Sequence, residues 1–439
     1  MVTKSHAKFP LLLILPVLVS LEAFVFKAQS LQSELNPIKV EVVSRDGKFE
    51  LLRGGKSYFI NGAGGGKYLD QLVASGGNSI RTWGSKNGHE ILDEAHKRGL
   101  TVTMGLNVAR ERHGFDYNDS EAVAKQLQEL KDEVMKYKDH PALLMWGIGN
   151  ELNLQYTNTK VWDAVNDIAR MIHENDPNHP ASTMLAGLKK KEVDLIKSMA
   201  PEIDVLAINA YGELVEIPKA IREYGWNGPY MITEWGPTGH WECPLTEWGA
   251  PIEETSSEKA EVYKLRYTAT IGQDKEKCLG SYVFLWGQKQ ERTPTWYGMF
   301  TESGQETEVI DVMQELWSGK GPENKTPKVE YMKLDGKKAT QSIYLVPNKT
   351  YKALASIYDS DKDNVKFRWE LLPESTDLSV GGDHESRPRS ISDAIAGKDN
   401  EIVITAPQKE GAYRLIMYAT DGNNNVATAN IPFYVKGSK

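Results

Sequence analysis

Cysteine is nearly absent: the 439 residues contain two, Cys243 and Cys278. Two thiols exclude a disulfide framework and a four-thiolate zinc site. A basic surplus is missing too, because 60 Asp and Glu outnumber 52 Lys and Arg, for a formal net charge of -8. That balance argues against nucleic acid, which attracts basic surfaces. A hydrophobic content of 40% and a mean hydropathy of -0.47 exclude both a many-span membrane protein and a disordered chain.

The long apolar run is Phe9 to Phe26, behind Lys4 and Lys8. A basic start, an apolar stretch and small residues at Ala28-Gln29-Ser30 read as a secretory signal over residues 1–30. No cysteine stands directly behind the run, so a lipidated N-terminus is not expected. The mature chain is expected to be secreted or periplasmic, monomeric, and without a membrane span once the signal is cleaved.

What the sequence does have is alternation. After a hairpin-like opening around Arg45-Asp46-Gly47, short apolar or β-branched runs alternate with amphipathic helical patterns. The expected strands are Tyr58–Ile60, Asn78–Arg81, Thr101–Met104, Leu143–Ile148, Ala181–Met184, Val205–Asn209, Tyr230–Thr233 and Ser281–Trp286. Among the helices, Ile91, Leu92 and Ala95 form a stripe that Gly99 stops, and Thr255 to Glu258 has the spacing of a capping box. Eight such repeats predict a (β/α)8 TIM barrel over residues 37–318, opening hairpin included. A Gly- and Pro-rich linker, 319–327, then leads to strand-like runs over 328–437. These predict an immunoglobulin-like β-sandwich with Trp369 in its core.

Several motifs carry no chemistry. Gly62-Ala-Gly-Gly-Gly66-Lys67 lacks the spacing of a phosphate loop and reads as a tight turn leaving strand 1. His89-Glu90 with His96 has the wrong spacing for a zinc helix. Asp359, Asp361 and Asp363 alternate as calcium ligands do, but a solvated acidic turn is the favoured reading. Cys243 and Cys278 fall at opposite barrel ends and are expected to be free thiols. No metal and no cofactor is called for.

The informative feature is a pair of acids. Trp146-Gly-Ile-Gly-Asn150-Glu151 ends strand 4, and Met231-Ile-Thr-Glu234 ends strand 7. Each apolar strand terminates in a carboxylate at the barrel end where such enzymes do their chemistry. Glycoside cleavage needs a flanking pair of this kind. On these residues the chain resembles the retaining glycoside hydrolases of clan A. It is most like glycoside hydrolase family 158, the endo-β-1,3-glucanases, and its barrel is similar to the catalytic domain of glycoside hydrolase family 2.

The resemblance implies Glu234 as nucleophile and Glu151 as acid/base. Glu234 would be held ionised by Arg81 and Tyr211, and Asn150 would bind the sugar 2-hydroxyl. Trp286 would form a platform under the sugar at the cleavage point. The clan's frequent His before the strand-6 Tyr is absent here, where Asn209 and Ala210 stand. Ten of the 11 Trp precede the linker. Trp83, Trp235, Trp241, Trp248, Trp286 and Trp296 fall at or after strand ends, and with Tyr297 they are candidates for stacking on sugar rings. The expected function is retaining endo-hydrolysis of a polysaccharide, most of all β-1,3-glucan. An exo-acting enzyme or transglycosylase would need the insert at 106–118 or 236–255 to close the groove. A non-catalytic polysaccharide-binding protein is the remote alternative.

Overall fold

Strands buried on both faces read as mostly apolar runs, and those of the central domain do, interrupted by buried polar residues such as Ser79, Thr103 and Ser182. The computed structural model describes residues 1–2 and 36–437. Pro37 opens the second of the two units into which the chain divides. The expected signal segment lies outside the described residues apart from residues 1 and 2. Among the described residues no helix is long and apolar enough to cross a membrane.

The second unit opens with an antiparallel sheet of β1 (Val40–Arg45), β2 (Lys48–Arg53) and β3 (Lys56–Ser57). Eight parallel strands then close into a barrel in chain order: β4 (Ile60–Gly64), β5 (Ser79–Arg81), β6 (Thr101–Leu106), β7 (Leu143–Asn150), β8 (Ala181–Ala186), β9 (Val205–Asn209), β10 (Tyr230–Glu234) and β11 (Cys278–Val283). The helices after these strands are α1 (Leu69–Ala74), α2 (Gly88–Lys97), α3 (Ser120–Tyr137), α4 (Lys160–Asn175), α5 (Lys190–Met199), α6 (Ile217–Glu223), α7 (Ser256–Arg266) and α8 (Glu308–Ser318). The capping box at Thr255 and Glu258 is formed, and Leu92 and Ala95 of α2 are buried. The hairpin plugs the N-terminal end of the barrel, where Val40 N donates to Asn178 O at 2.8 Å and Phe49 N to Glu276 O at 2.7 Å. Its Leu51 shares an apolar cluster with Ile60, Met145 and Met231 inside the barrel.

Two strand expectations are corrected. Strand 1 is Ile60–Gly64, so Gly62 and Gly64 belong to the strand rather than to a turn after it. A Cβ at Gly62 would come within 2.3 Å of the Tyr282 ring, which fills that level of the barrel. Bare backbone there is a packing requirement, and it hides the strand from a β-propensity reading. Strand 8 is Cys278–Val283, which leaves Trp286 beyond its end.

After α8, β12 (Lys328–Leu334), β14 (Thr350–Tyr358), β17 (Glu401–Thr405) and β16 (Ile395–Ala396) form one sheet in that order. The facing sheet runs β13 (Ile343–Leu345), β19 (Val426–Val435), β18 (Gly411–Thr420) and β15 (Lys366–Pro373). Trp369 lies in the core of this β-sandwich at 9% exposure. The two cysteines are free. In the acidic turn the structure gathers Asp359 and Asp363 with Asp421 rather than Asp361, their oxygens within 4.8 Å of one another. Asn324 and Asn423 both donate to Asp363 there.

The sandwich packs on the barrel through α7. Val329 N donates to Ser257 Oγ and Thr428 N to Ser256 Oγ, each at 2.9 Å. Asn430 Nδ2 reaches the buried Glu253 at 2.6 Å, which also holds Lys259 at 2.5 Å.

Candidate active site

Two irregularities in the barrel aim the acids. Between β7 and β8 the register slips between Gly147 and Asn150, where Gly149 sits at φ +70 and Glu151 itself at φ +54. Between β9 and β10 it slips again between Ile232 and Glu234. Bulges of this kind turn the following side chain out of the strand alternation, here into the barrel mouth. A left-handed backbone is costly for a side-chain-bearing residue such as Glu151, and strain of that sort concentrates at functional sites.

The mouth encloses a cavity of about 820 Å3 that both Glu151 and Glu234 line. Glu234 is 7% exposed, and its Oε1 accepts from Arg81 Nη1 at 2.8 Å and from Trp83 Nε1 at 2.7 Å. Its Oε2 has no hydrogen-bond partner among the described residues and is the oxygen left for a ligand. Arg81, 1% exposed, also donates to Thr233 O at 2.8 Å and to Asn150 Oδ1 at 2.5 Å. One guanidinium thus fixes the ends of strands 4 and 7 relative to each other.

Asn209 ties the other carboxylate. Its Nδ2 donates to Glu151 Oε1 at 3.0 Å and Asn150 Oδ1 at 3.2 Å, while its Oδ1 accepts from Thr233 Oγ1 at 2.8 Å. Burial first, and then the negative charge of Glu234, push Glu151 up to about 7, against the opposing pull of the Asn209 amide. A carboxyl titrating near neutrality is suited to give and take a proton. Asn150 lines the cavity with its Oδ1 already bound, so its amide nitrogen is the group available to a ligand.

The structure brings some expected residues together and not others. Trp83 and Tyr211 line the cavity with Asn150, Glu151 and Glu234. Tyr211, however, makes no hydrogen bond to Glu234 among the described residues. Burial first and the nearby Glu234 charge second raise its phenol well above the ordinary value. The donor that sequence reasoning assigned to Tyr211 is supplied by Trp83.

Trp286 is corrected outright: it is 1% exposed, sits in the barrel core and donates to Tyr68 O at 3.1 Å. The shorter strand 8 puts Phe284 and Leu285 on the cavity instead. Trp235, 0% exposed, packs on Tyr263 and Tyr267 and does not reach the cavity. Trp296 lies behind Phe284 and Tyr297 and donates to Thr238 O at 3.0 Å. Trp248 faces Tyr344 and Tyr434 of the sandwich. Trp241 is 59% exposed and lines the cavity, as Tyr297 does.

Sequence reasoning missed Asn209 as a site residue, although it ends an apolar strand just as Asn150 and Glu234 do. It also missed Arg110 and Lys189, which line the cavity without an ion-pair partner among the described residues.

Residues 78–238 match the family described as glycosyl hydrolases family 2, TIM barrel domain. A β-glucuronidase of Paenibacillus borealis is 27% identical over 239 residues, 48% of this chain and 38% of that protein. Ruminococcus gnavus β-glucuronidase is similar in structure, with a TM-score of 0.52, 15% identity and coverage of 64% of this chain and 53% of that one. Bacteroides uniformis β-glucuronidase 2, covalently bound to cyclophellitol-6-carboxylate aziridine, gives 0.51 at 12% identity, covering 91% and 48%. The chain thus spans well under two thirds of the length of these relatives, and the solved structures speak for the fold alone. The family match and the Paenibacillus relative support a glycosidase barrel of clan A.

Proposed function

We propose that this protein is a retaining β-glycosidase that works by double displacement. Glu234 Oε2 attacks the anomeric carbon while Glu151 gives its proton to the departing glycosidic oxygen. Glu151, now a carboxylate, takes a proton from water. The water oxygen attacks the same carbon and releases Glu234. The observation that carries this reading is the asymmetry between the acids. Glu234 accepts two donors on one oxygen, whereas Glu151 is pushed up to about 7 by burial and by the Glu234 charge.

The substrate we propose is a polysaccharide outside the cytoplasm, most of all a β-1,3-glucan cleaved internally. The resemblance at the strand ends and the apolar leader-like segment support this choice. A β-glucuronide is the second reading. It is favoured by the Paenibacillus relative and by Arg110 and Lys189, two cations on the cavity wall that a carboxylate-bearing sugar would pair with. Incubation with laminarin, lichenan, mannan, cellulose and 4-nitrophenyl β-glucuronide, with chromatography of the products, tests both. Oligosaccharides from laminarin support the first reading, and nitrophenol release alone supports the second. No product from any substrate overturns the glycosidase reading.

A further inference from the structure

The cavity wall is not made by the barrel alone. Val380, Gly381, Gly382 and Asp383, from the sandwich loop between β15 and β16, line the same space as Glu151 and Glu234. The loop is fastened to the barrel at its base. Glu385, whose side chain is 0% exposed, accepts from Arg292 N at 2.6 Å and Arg292 Nη1 at 3.1 Å. The same carboxylate accepts Ser379 N at 3.0 Å, which pinches the loop into a narrow tongue.

At the tip, Lys289, in the segment after strand 8, donates to Gly382 O at 2.6 Å. Arg112, in the segment after strand 3, donates to Val380 O at 3.3 Å. Gly381 and Gly382 stand at φ +63 and +73, a conformation that favours glycine. A Cβ at Gly381 would lie 2.9 Å from Leu154 Cδ2, so the tongue rests on the segment that carries Glu151. The amides of residues 380–383 donate to no acceptor among the described residues. The tongue therefore offers bare backbone donors to the cavity together with the Asp383 carboxylate, whose Oδ2 is shared with Arg112 Nη1 at 3.5 Å and His113 Nε2 at 3.4 Å. Sugar hydroxyls are partners for both kinds of group.

We propose that the tongue Ser379–Glu385 of the β-sandwich is a wall of the substrate site, binding the sugar units on the leaving-group side of the bond. The inference rests on the glycosidase reading, in which Glu151 protonates the leaving oxygen; the tongue adjoins Glu151 through Leu154. The second domain is thereby part of the specificity machinery rather than a brace. The barrel inserts at 106–118 and 236–255 are not the only closures of the groove.

The test is amide hydrogen exchange on full-length Glu234→Gln protein, with laminarihexaose, cellohexaose, mannohexaose or 4-nitrophenyl β-glucuronide added. The expected result is a severalfold slowing of exchange in 376–388 together with 236–242 for a hexasaccharide. Slowing in 236–242 alone, for every probe, overturns the inference and leaves the glycosidase reading standing. Slowing in neither segment with any probe overturns both. Glu385→Gln in the active chain loosens the base of the tongue without altering a cavity residue. It is expected to raise KM for the hydrolysed oligosaccharide severalfold, more than it lowers kcat. A fall in Tm with KM and kcat both unmoved would mark the tongue as structural and overturn the inference.

Discussion

Arg81 Nη1 stands 2.8 Å from Glu234 Oε1, and both side chains are almost fully withdrawn from water. Removing one member of such a pair leaves an uncompensated buried charge, which costs about 3–5 kcal/mol. Arg81→Ala is therefore expected to lower unfolding stability by about that amount. Arg81→Ala combined with Glu234→Ala should lose less than the two single losses added together. Chemical denaturation of the three variants checks this, and strictly additive losses would contradict it.

The two acids should fail differently. Glu234→Ala is expected to abolish turnover, and added azide should not restore it as a retained product. Glu151→Ala should lower kcat by about 10²–10⁴-fold on a substrate with a poor leaving group. An activated aryl glycoside should still form the covalent intermediate, because its leaving group needs little protonation. Intact-protein mass spectrometry with such a substrate reads this directly.

The pH profile follows from Glu151. It must be protonated to act as the acid, so kcat/KM is expected to fall as pH rises through about 7. Burial is the larger cause and the Glu234 charge the next, so Glu234→Gln should move Glu151 downward. Asn209 donates to the ionised form, so Asn209→Leu should move it upward. Carbon NMR titration of Glu151 in the three proteins checks both signs. A shift of the same sign in both variants would refute the assignment.

Removing Trp83 Nε1 takes one of two donors from Glu234. Trp83→Phe is expected to lower kcat by about 10–100-fold, the worth of a hydrogen bond to a charged group, while KM changes less. Steady-state kinetics on the best substrate of the panel decides it.

The barrel and both acids were legible in the sequence because each depends on local pattern. Apolar strands alternate with helical stripes, and a polar residue closes an apolar run. The tryptophans were not legible. Trp286 and Trp296 follow a strand end in sequence, yet they turn inward against Phe300 and Tyr297. Only the chain path after Val283 decides that direction. Asn209 carries the same polar-after-apolar signal as Glu234, but in the sequence it stands out only as a departure from the expected His-Tyr pair. The tongue from the sandwich was invisible, because a contact between Val380 and Arg112 across 268 residues leaves no periodic trace.

These placements separate two tryptophans by experiment. Trp286→Ala should cost about 3–5 kcal/mol of stability, as large core truncations do. Trp241→Ala, at an exposed position on the cavity, should leave stability within about 0.5 kcal/mol and raise KM. Denaturation and kinetics on the same samples check the contrast.

A covalent intermediate on Glu234 would give net retention at the anomeric carbon. Retaining enzymes hold the two carboxyls about 5–5.5 Å apart, leaving no room for a water behind the sugar. Proton NMR of the first product formed from a β-linked substrate, recorded before mutarotation, reads the anomeric outcome directly. The β-anomer appearing first is the predicted result, and the α-anomer appearing first would contradict it.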